Sequence, residues 1–465
     1  MDKWIRRTQA GGADLTNSKL VMGIRVPILS VLCTLLVACQ PVPFDAERSV
    51  TTAVPPSGAL AETARPWLGS SGSSSGFVAL PDGTDALAAR LQLIEAAEAT
   101  IDLQYFLVKP DLVGMLVADR LIDAANRGVR VRLLVDDIFT QARDEDLATL
   151  DLHPDIEVRL FNPVARSAPT WLAFASEFSR TNRRMHNKSM TVDGAATVFG
   201  GRNIADEYFE IDHRIHFADF DMLGLGPVAA DVSRTFDLFW NSSYSVPLAA
   251  IPVRSMRSTA TAEEIRIGLD PGFLARAENA YRRAVARDLL GAIEAGRRQV
   301  HSGSARVVTD PPHKILAPGG EGCVEVLDAL TGMPEAAMRE VVIVTPYLVP
   351  GCAVVEQLQR LRARGVEIVI VTNSLASTNH AYVHGVYRRY RRGMIDAGVR
   401  LFVFMPKPPH VSAAGRNRQT LHTKIMLVDR HDVLYTAHRF RTIAHTSFQL
   451  EGVVAPNLVL EVEIA

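Results

Sequence analysis

At 465 residues the chain is longer than one hydrophobic core usually serves, so two lobes are expected. Hydrophobic residues make up 48% and charged residues 22%, the balance of a globular protein, which excludes wholesale disorder. The net charge is -1, so no global field draws the chain to nucleic acid or an anionic surface, and any affinity for phosphate must be local.

Residues 1–39 read as an export segment. Arg25 precedes the apolar run 26–38, which is short for a bilayer span. Leu36-Val37-Ala38-Cys39 is similar to a bacterial lipoprotein processing box, so Cys39 is the expected site of lipidation. The expected location is then the periplasmic side of the cell envelope, lipid-anchored to a membrane, with Gln40 pointing to the outer one. The alternative is an uncleaved signal anchor, and Met22 is an alternative start. Residues 40–76 are rich in Pro, Ser, Ala and Gly and read as a flexible tether. Of four cysteines, Cys33 and Cys39 belong to the export segment. Cys323 and Cys352 are expected as buried free thiols, with a disulfide the alternative in an oxidising compartment. No cysteine spacing suits zinc.

Lobe one, 77–250, opens with an Ala/Leu-rich helix at 84–98 and a strand at 100–107. A helix through Asn126 and strands at 129–136 and 156–161 follow. The segment 185–193 then reads Met-His-Asn-Lys-Ser-Met-Thr-Val-Asp. Strand side chains alternate, so His186 and Lys188 share one face. Residues 189–192 are β-compatible and largely apolar, which predicts a buried strand. Asp193, at its end, points away from that shared face into a turn with Gly194. Gly200 and Gly201 allow a backbone to approach a phosphate, and Asn203 offers an amide for an oxyanion or for holding an imidazole. By itself this Gly-Gly-x-Asn is also compatible with a plain turn. Strands at 197–199 and 216–223 and a helix ending near Trp240 complete a βαβ-rich lobe.

A helical linker is expected over 251–312, with a basic-faced helix at 270–298. Lobe two, 313–465, repeats the order: a strand at 340–347, a helix, a strand at 365–371, a helix rich in arginine at 388–392, a strand at 399–404 and the segment 421–429. That last segment carries His422, Lys424 and Asp429 at the spacing of His186, Lys188 and Asp193. Matching order with a matching motif position supports an internal duplication. Tyr105 and Tyr347 stand at equivalent strand ends, either bordering a site or as plain core or rim aromatics. The chain has 13 histidines. With Lys and Asp near about 6% each, chance predicts roughly 0.05 copies of His-x-Lys-x4-Asp, and a pair about a thousandth of the time.

These residue types suit one chemistry. A phosphodiester is anionic and repels nucleophiles, so attack needs cations on the non-bridging oxygens, a neutral nucleophile and an acid for the leaving group. Two imidazoles divide acid and base roles, and Lys188 and Lys424 supply charge. Asp193 and Asp429 either orient the rings or serve structure.

On these two copies, on 182–188 and 200–204, and on Val371-Thr372-Asn373-Ser374-Leu375, the chain resembles the phospholipase D superfamily. Within it, the resemblance is to the bacterial cardiolipin synthases, from about Gly76 to Asp429. It implies an α/β fold of two similar lobes, each a mixed β-sheet flanked by helices, with both motif copies in one active site. It also implies a covalent phosphohistidine, no metal and no cofactor, and the N-terminal histidine as nucleophile; the residues themselves leave that order open. The implied substrates are phospholipids, and the implied product is cardiolipin or a related lipid. With water as acceptor the same site would be a phospholipase D. A nuclease is disfavoured, because such enzymes are usually smaller dimers; the oligomeric state has no signal here.

The loop 169–178 carries three aromatics and a leucine, for acyl-chain contact or for closing a core. Arg180, Arg183 and Arg184, with Lys407, Arg416 and Arg418 in lobe two, would bind lipid phosphate or form solvated basic loops. After Asp429 the family pattern of Gly-Ser-x-Asn is missing from 434–445. The chain also stops at Ala465, ahead of an expected closing strand and helix, so lobe two reads as truncated. A catalytically impaired lipid-binding remnant is therefore a third reading.

Overall fold

The structure is a computed structural model that describes residues 42–50, 52, 54–68, 74–166, 175, 177–211, 215–251, 279–284, 286–313, 324–406, 418–436 and 458–464. The export segment with Cys39, the stretch 167–174, Cys323, Lys407 and Arg416 lie outside them. Among the described residues no helix is long and apolar enough to cross a membrane.

The first half runs α1 (Gly58–Leu68), β1 (Ser74–Leu80), α2 (Gly83–Ala96), β2 (Thr100–Tyr105), α3 (Leu112–Asn126), β3 (Arg130–Asp136), α4 (Asp144–Asp151) and β4 (Ile156–Phe161). It continues with α5 (Phe178–Thr181), β5 (Lys188–Val192), β6 (Ala196–Gly200), β7 (Ile215–Ala218), β8 (Asp221–Leu225), α6 (Pro227–Trp240) and β9 (Ser245–Pro247). The second half comprises α7 (Leu289–Glu294), β10 (His301–Thr309), α8 (Val324–Glu335), β11 (Glu340–Val344), α9 (Gly351–Ala363) and β12 (Glu367–Asn373). It ends with α10 (Ala381–Asp396), β13 (Arg400–Phe404), β14 (Arg418–Leu421), β15 (Ile425–Val428), β16 (Asp432–Thr436) and β17 (Leu458–Ile464).

Fifteen strands form one mixed sheet, and its middle is the pair β10–β1. Outward from β1 the order is β8, β6, β5, β2, β3, β4; outward from β10 it is β17, β16, β15, β11, β12, β13, so the same half-sheet occurs twice, and β9 is added beyond β4 in the first half alone. In each half three adjacent strands, β2–β3–β4 or β11–β12–β13, are parallel and the motif strand, β5 or β15, runs antiparallel beside them. β2 and β3 are rich in Val, Ile and Leu because both of their faces are covered, and β2 is buried along its whole length, whereas β13 at the far edge is largely exposed. The fold is thus α/β, in two similar halves flanked by helices.

Each half keeps its own apolar core, around Leu103, Val131 and Val158 in the first and Val341, Ile368 and Leu434 in the second. A further cluster joins them, with Phe77, Phe199 and Met222 packing against Ile425, Val433 and Tyr435.

Several expectations change. Residues 58–68 of the expected tether are helical, with Leu60 and Ala64 in the first core and Trp67 Nε1 donating to Ser302 Oγ at 2.9 Å. An apolar stripe inside a Pro- and Ala-rich stretch was enough to dock it. The expected linker contains β10, whose β-branched Val307, Val308 and Thr309 favour a strand that bridges β1 and β17. Residues 458–464 close the second half-sheet, between β10 and β16. Cys352, expected buried, is an exposed free thiol in the first turn of α9.

Asp193 and Asp429 prove to be structural. Asp193 accepts from the backbone N–H groups of Glu98, Ala99 and Thr100 at 2.8–2.9 Å, and Asp429 from those of Met338, Arg339 and Glu340 at 2.7–2.8 Å. Each carboxylate ties the far end of its motif strand to the start of the neighbouring parallel strand, away from the imidazoles. Of the two expected roles, these bonds fit the structural one and not the orienting of the rings. Both residues adopt the left-handed backbone region, at φ 49° and 53°, which aspartate tolerates in turns. Asp193 is fully buried. Asp193→Ala should therefore destabilise the fold by about 3 kcal/mol in urea unfolding, and Asp429→Ala by less, since water reaches its exposed donors.

Candidate active site

The two motif copies build the same local device. Lys188 and Lys424 lie two residues after their histidines on the same face, so each ammonium reaches back to its own histidine. Lys188 Nζ donates to His186 O at 2.8 Å and lies 3.3 Å from His186 Nδ1. Lys424 Nζ donates to His422 O at 2.7 Å and lies 3.4 Å from either ring nitrogen. Phe106 packs on the first imidazole with ring centroids 4.5 Å apart, and its face lies 5.0 Å from Lys188 Nζ.

The second copy docks into the first half. β14 pairs in parallel with β7, and His422 N–H donates to Ala218 O at 2.8 Å. His422 Nδ1 lies 2.6 Å from Asp219 Oδ2, and the ring sits against Phe217 at 5.1 Å and edge-on to Tyr208 at 5.5 Å. Asn373 at the end of β12 accepts from Leu421 N–H at 3.1 Å and donates to Leu421 O at 2.8 Å, fixing the residue before His422.

The charged groups of the two copies act on one another. Burial, and then the neighbouring Lys424 ammonium, push the Lys188 amine well below its usual range. Burial pushes His422 down to about 4, helped by Lys424 and Lys188 and opposed by Asp219. Burial by itself would raise the Asp219 carboxyl, but His422, Lys424 and Arg202 outweigh it and hold it at about 2. Basic groups from both halves thus crowd around one ionised carboxylate, and an added anion would favour their charged forms.

The glycine pair makes room for carboxylates. A Cβ on Gly201 would fall 2.0 Å from Asp219 Oδ1, and one on Gly200 1.7 Å from Asp221 Oδ1. This corrects their expected approach to phosphate. Asp221 in turn pairs with buried Arg90 at 2.9 Å, while Arg202 donates to Asp219 O at 2.7 Å and Leu80 O at 2.9 Å.

Asn203 also acts indirectly: its Oδ1 accepts from Leu107 N–H at 3.2 Å and its Nδ2 donates to Tyr208 OH at 2.8 Å, which steadies the ring beside His422. Arg184, expected at a lipid phosphate, is fully buried and donates to Asp136 at 2.9 Å and to the carbonyls of Phe161 and Asn162. It braces the chain entering the first motif. Arg180 is likewise committed, to Glu177 and Pro163 O.

The registers also separate the two tyrosines. Tyr105 is opposite Lys188 and Val344 is opposite Ile425, so the counterpart of Tyr105 is Thr345. Tyr105 is fully buried with its hydroxyl accepting from Arg90 at 3.0 Å; Tyr347 lies with its ring 6.5 Å from His422. Sequence reasoning missed Asp219, Tyr208 and Phe106. The available signal was Phe217-Ala218-Asp219-Phe220-Asp221, two carboxylates sharing a face in an apolar stretch. Among the described residues no group of three potential metal ligands occurs.

A family model described as "Cardiolipin synthase, PLD-like domain" matches residues 91–240 and 333–447, more than half of the chain and both histidines. The chain belongs to that family. It is 36% identical over 375 residues to Cardiolipin synthase C of Escherichia coli (strain K12), covering 78% of each protein. It is 23% identical over 357 residues to a cardiolipin synthase of Oceanobacillus iheyensis, covering 77% of this chain and 60% of that one. The crystal structure of phosphatidylserine synthase from Haemophilus influenzae Rd KW20 matches with a TM-score of 0.54 at 15% identity, over 83% of this chain and 82% of that one. The two share a fold.

Because the fold favours neutral His422, the unfolded chain takes up the imidazole proton first as pH falls. That contribution is whole above about pH 6.5 and shrinks toward pH 4, whereas the Asp219 contribution is lost only between its unfolded value, near 3.8, and about 2. Urea unfolding at about pH 7 and pH 4.5 should show wild type losing about 2 kcal/mol more than His422→Gln.

Proposed function

We propose that the protein is a phosphatidyltransferase that joins phospholipids, making cardiolipin or a related lipid through a phosphohistidine. The observation that carries this reading is the carboxylate–imidazole pair of Asp219 and His422, at 2.6 Å, set among the lysines of both motif copies. A phosphodiester between Lys188 and Lys424 turns their repulsion into attraction on its non-bridging oxygens. Its negative charge also raises the His422 pKa, so that this ring holds a proton when substrate is bound.

Asp219 engages Nδ1 of His422, which leaves Nε2 to face the reacting oxygen. In the first half-reaction the His186 nitrogen attacks phosphorus, the P–O bond to the leaving alcohol breaks, and His422 gives that oxygen its proton. In the second, the incoming lipid alcohol gives its proton to His422 and attacks phosphorus as the P–N bond breaks. Family membership and the match to Cardiolipin synthase C support lipid alcohol as the acceptor.

Purified protein with labelled phosphatidylglycerol, alone and with phosphatidylethanolamine, tests the reading. Labelled cardiolipin is expected; phosphatidic acid would make water the acceptor, and unchanged lipid would remove the activity. His186→Ala should lower turnover by at least about a thousandfold and abolish an acid-labile label on the enzyme. A label that persists assigns the nucleophile elsewhere.

A further inference from the structure

Large apolar side chains left in water are unevenly placed. Of the thirteen that are exposed among the described residues, seven fall within 375–405: Leu375, Tyr382, Val386, Ile395, Phe402, Val403 and Met405. Parallel strands end on the same edge of a sheet, so Leu375 just past β12 and Met405 just past β13 lie at the edge where Tyr347 follows β11. Leu375 is 60% exposed and Met405 63%.

This edge is connected to the chemistry. From buried His422 a series of rings leads outward, through Tyr347 at 6.5 Å, His380 at 5.1 Å and Tyr382 at 5.4 Å, where Tyr382 is 49% exposed. The first half has its own series, from His186 through Phe106 at 4.5 Å to Phe139 at 4.8 Å, beyond the end of β3. Packed aromatic side chains thus link each imidazole to an exposed ring, Tyr382 in the second half and Phe139 in the first.

α10 starts at this edge and runs back toward the start of β13, and along that length it is basic on its outer side. Arg388, Arg389, Arg391 and Arg392 are exposed there, and Asp396, 3.6 Å from Arg392, is the one acid on that helix. The chain as a whole has a net charge of -1, so this is a local concentration. Exposed apolar and aromatic groups flanked by arginines match the depth profile of an anionic bilayer surface, apolar below and negatively charged at the headgroups.

We propose that the edge formed by Leu375, Tyr382 and Met405 with the arginines of α10 is a docking surface for an anionic phospholipid bilayer. It seats the site mouth on the headgroup layer, so that a lipid phosphodiester reaches the imidazoles while its acyl chains stay in the membrane. The proposal rests on the lipid reading above only for what the site does once docked.

The test is flotation of the full chain with vesicles of pure phosphatidylcholine or of equal parts phosphatidylcholine and phosphatidylglycerol. Arg388→Gln/Arg389→Gln/Arg392→Gln should lower affinity for the anionic vesicles by about a hundredfold, at roughly fivefold per arginine, and leave that for neutral vesicles unchanged. Leu375→Ser/Met405→Ser should weaken both. Both variants should turn over monomeric dihexanoyl phosphatidylglycerol at the wild-type rate. Vesicle affinity unchanged in both variants, or no vesicle binding by wild type, overturns the docking surface even if turnover is normal. Vesicle affinity lost as stated with no turnover by any protein keeps the surface and removes the proposed reaction. Displacement of the arginines' role to a single-stranded oligonucleotide, bound in place of vesicles, also overturns it.

Discussion

Two lysine side chains and an imidazole are buried together in this protein, and the carboxylate of Asp219 is what makes that tolerable. Burying unpaired charge is costly, and like charges at close range raise the cost further. Asp219 meets His422 from 203 residues away in sequence and draws in Lys424 and Arg202 as well. It also binds the halves together, because its own half supplies the acid and the other half supplies the ring.

Much of the surrounding structure serves that one carboxylate. Gly200 and Gly201 leave out the methylene groups that would collide with Asp221 and Asp219. Arg202 holds the Asp219 carbonyl, and Arg90 neutralises Asp221 so that the second acid does not compete. The parallel β7–β14 pair brings Ala218 and His422 side by side, while Asn373 anchors the residue ahead of the ring. At the opposite end of each motif strand, Asp193 and Asp429 tie down the turn. Each strand is thus fixed at both ends, with only its amino end devoted to chemistry.

The sequence made the duplication legible because two copies of a sparse polar pattern lay in otherwise apolar strands, and periodicity alone places His and Lys on one face. It also placed Asp193 and Asp429 at the strand ends. It did not show what they bind, since their partners are backbone groups some ninety residues distant. Asp219 and Asp221 stood out only as two carboxylates sharing a face in an apolar stretch; that Asp219 meets a ring in the other half had no local signature. Gly200 and Gly201 were legible as places of close approach, but not as to what approaches. Arg184 was misread because a basic residue beside a motif looks available until its burial against Asp136 is seen.

The central claim is that both motif copies form one electrostatic unit. The direct measurement is a nitrogen NMR titration of the His422 ring in wild type and in Lys188→Met. The account predicts a midpoint near 4 in wild type that moves upward when the Lys188 charge is removed, because that ammonium helps hold the ring neutral. A His422 midpoint unaffected by Lys188→Met would contradict it, and would mean that the two copies act apart.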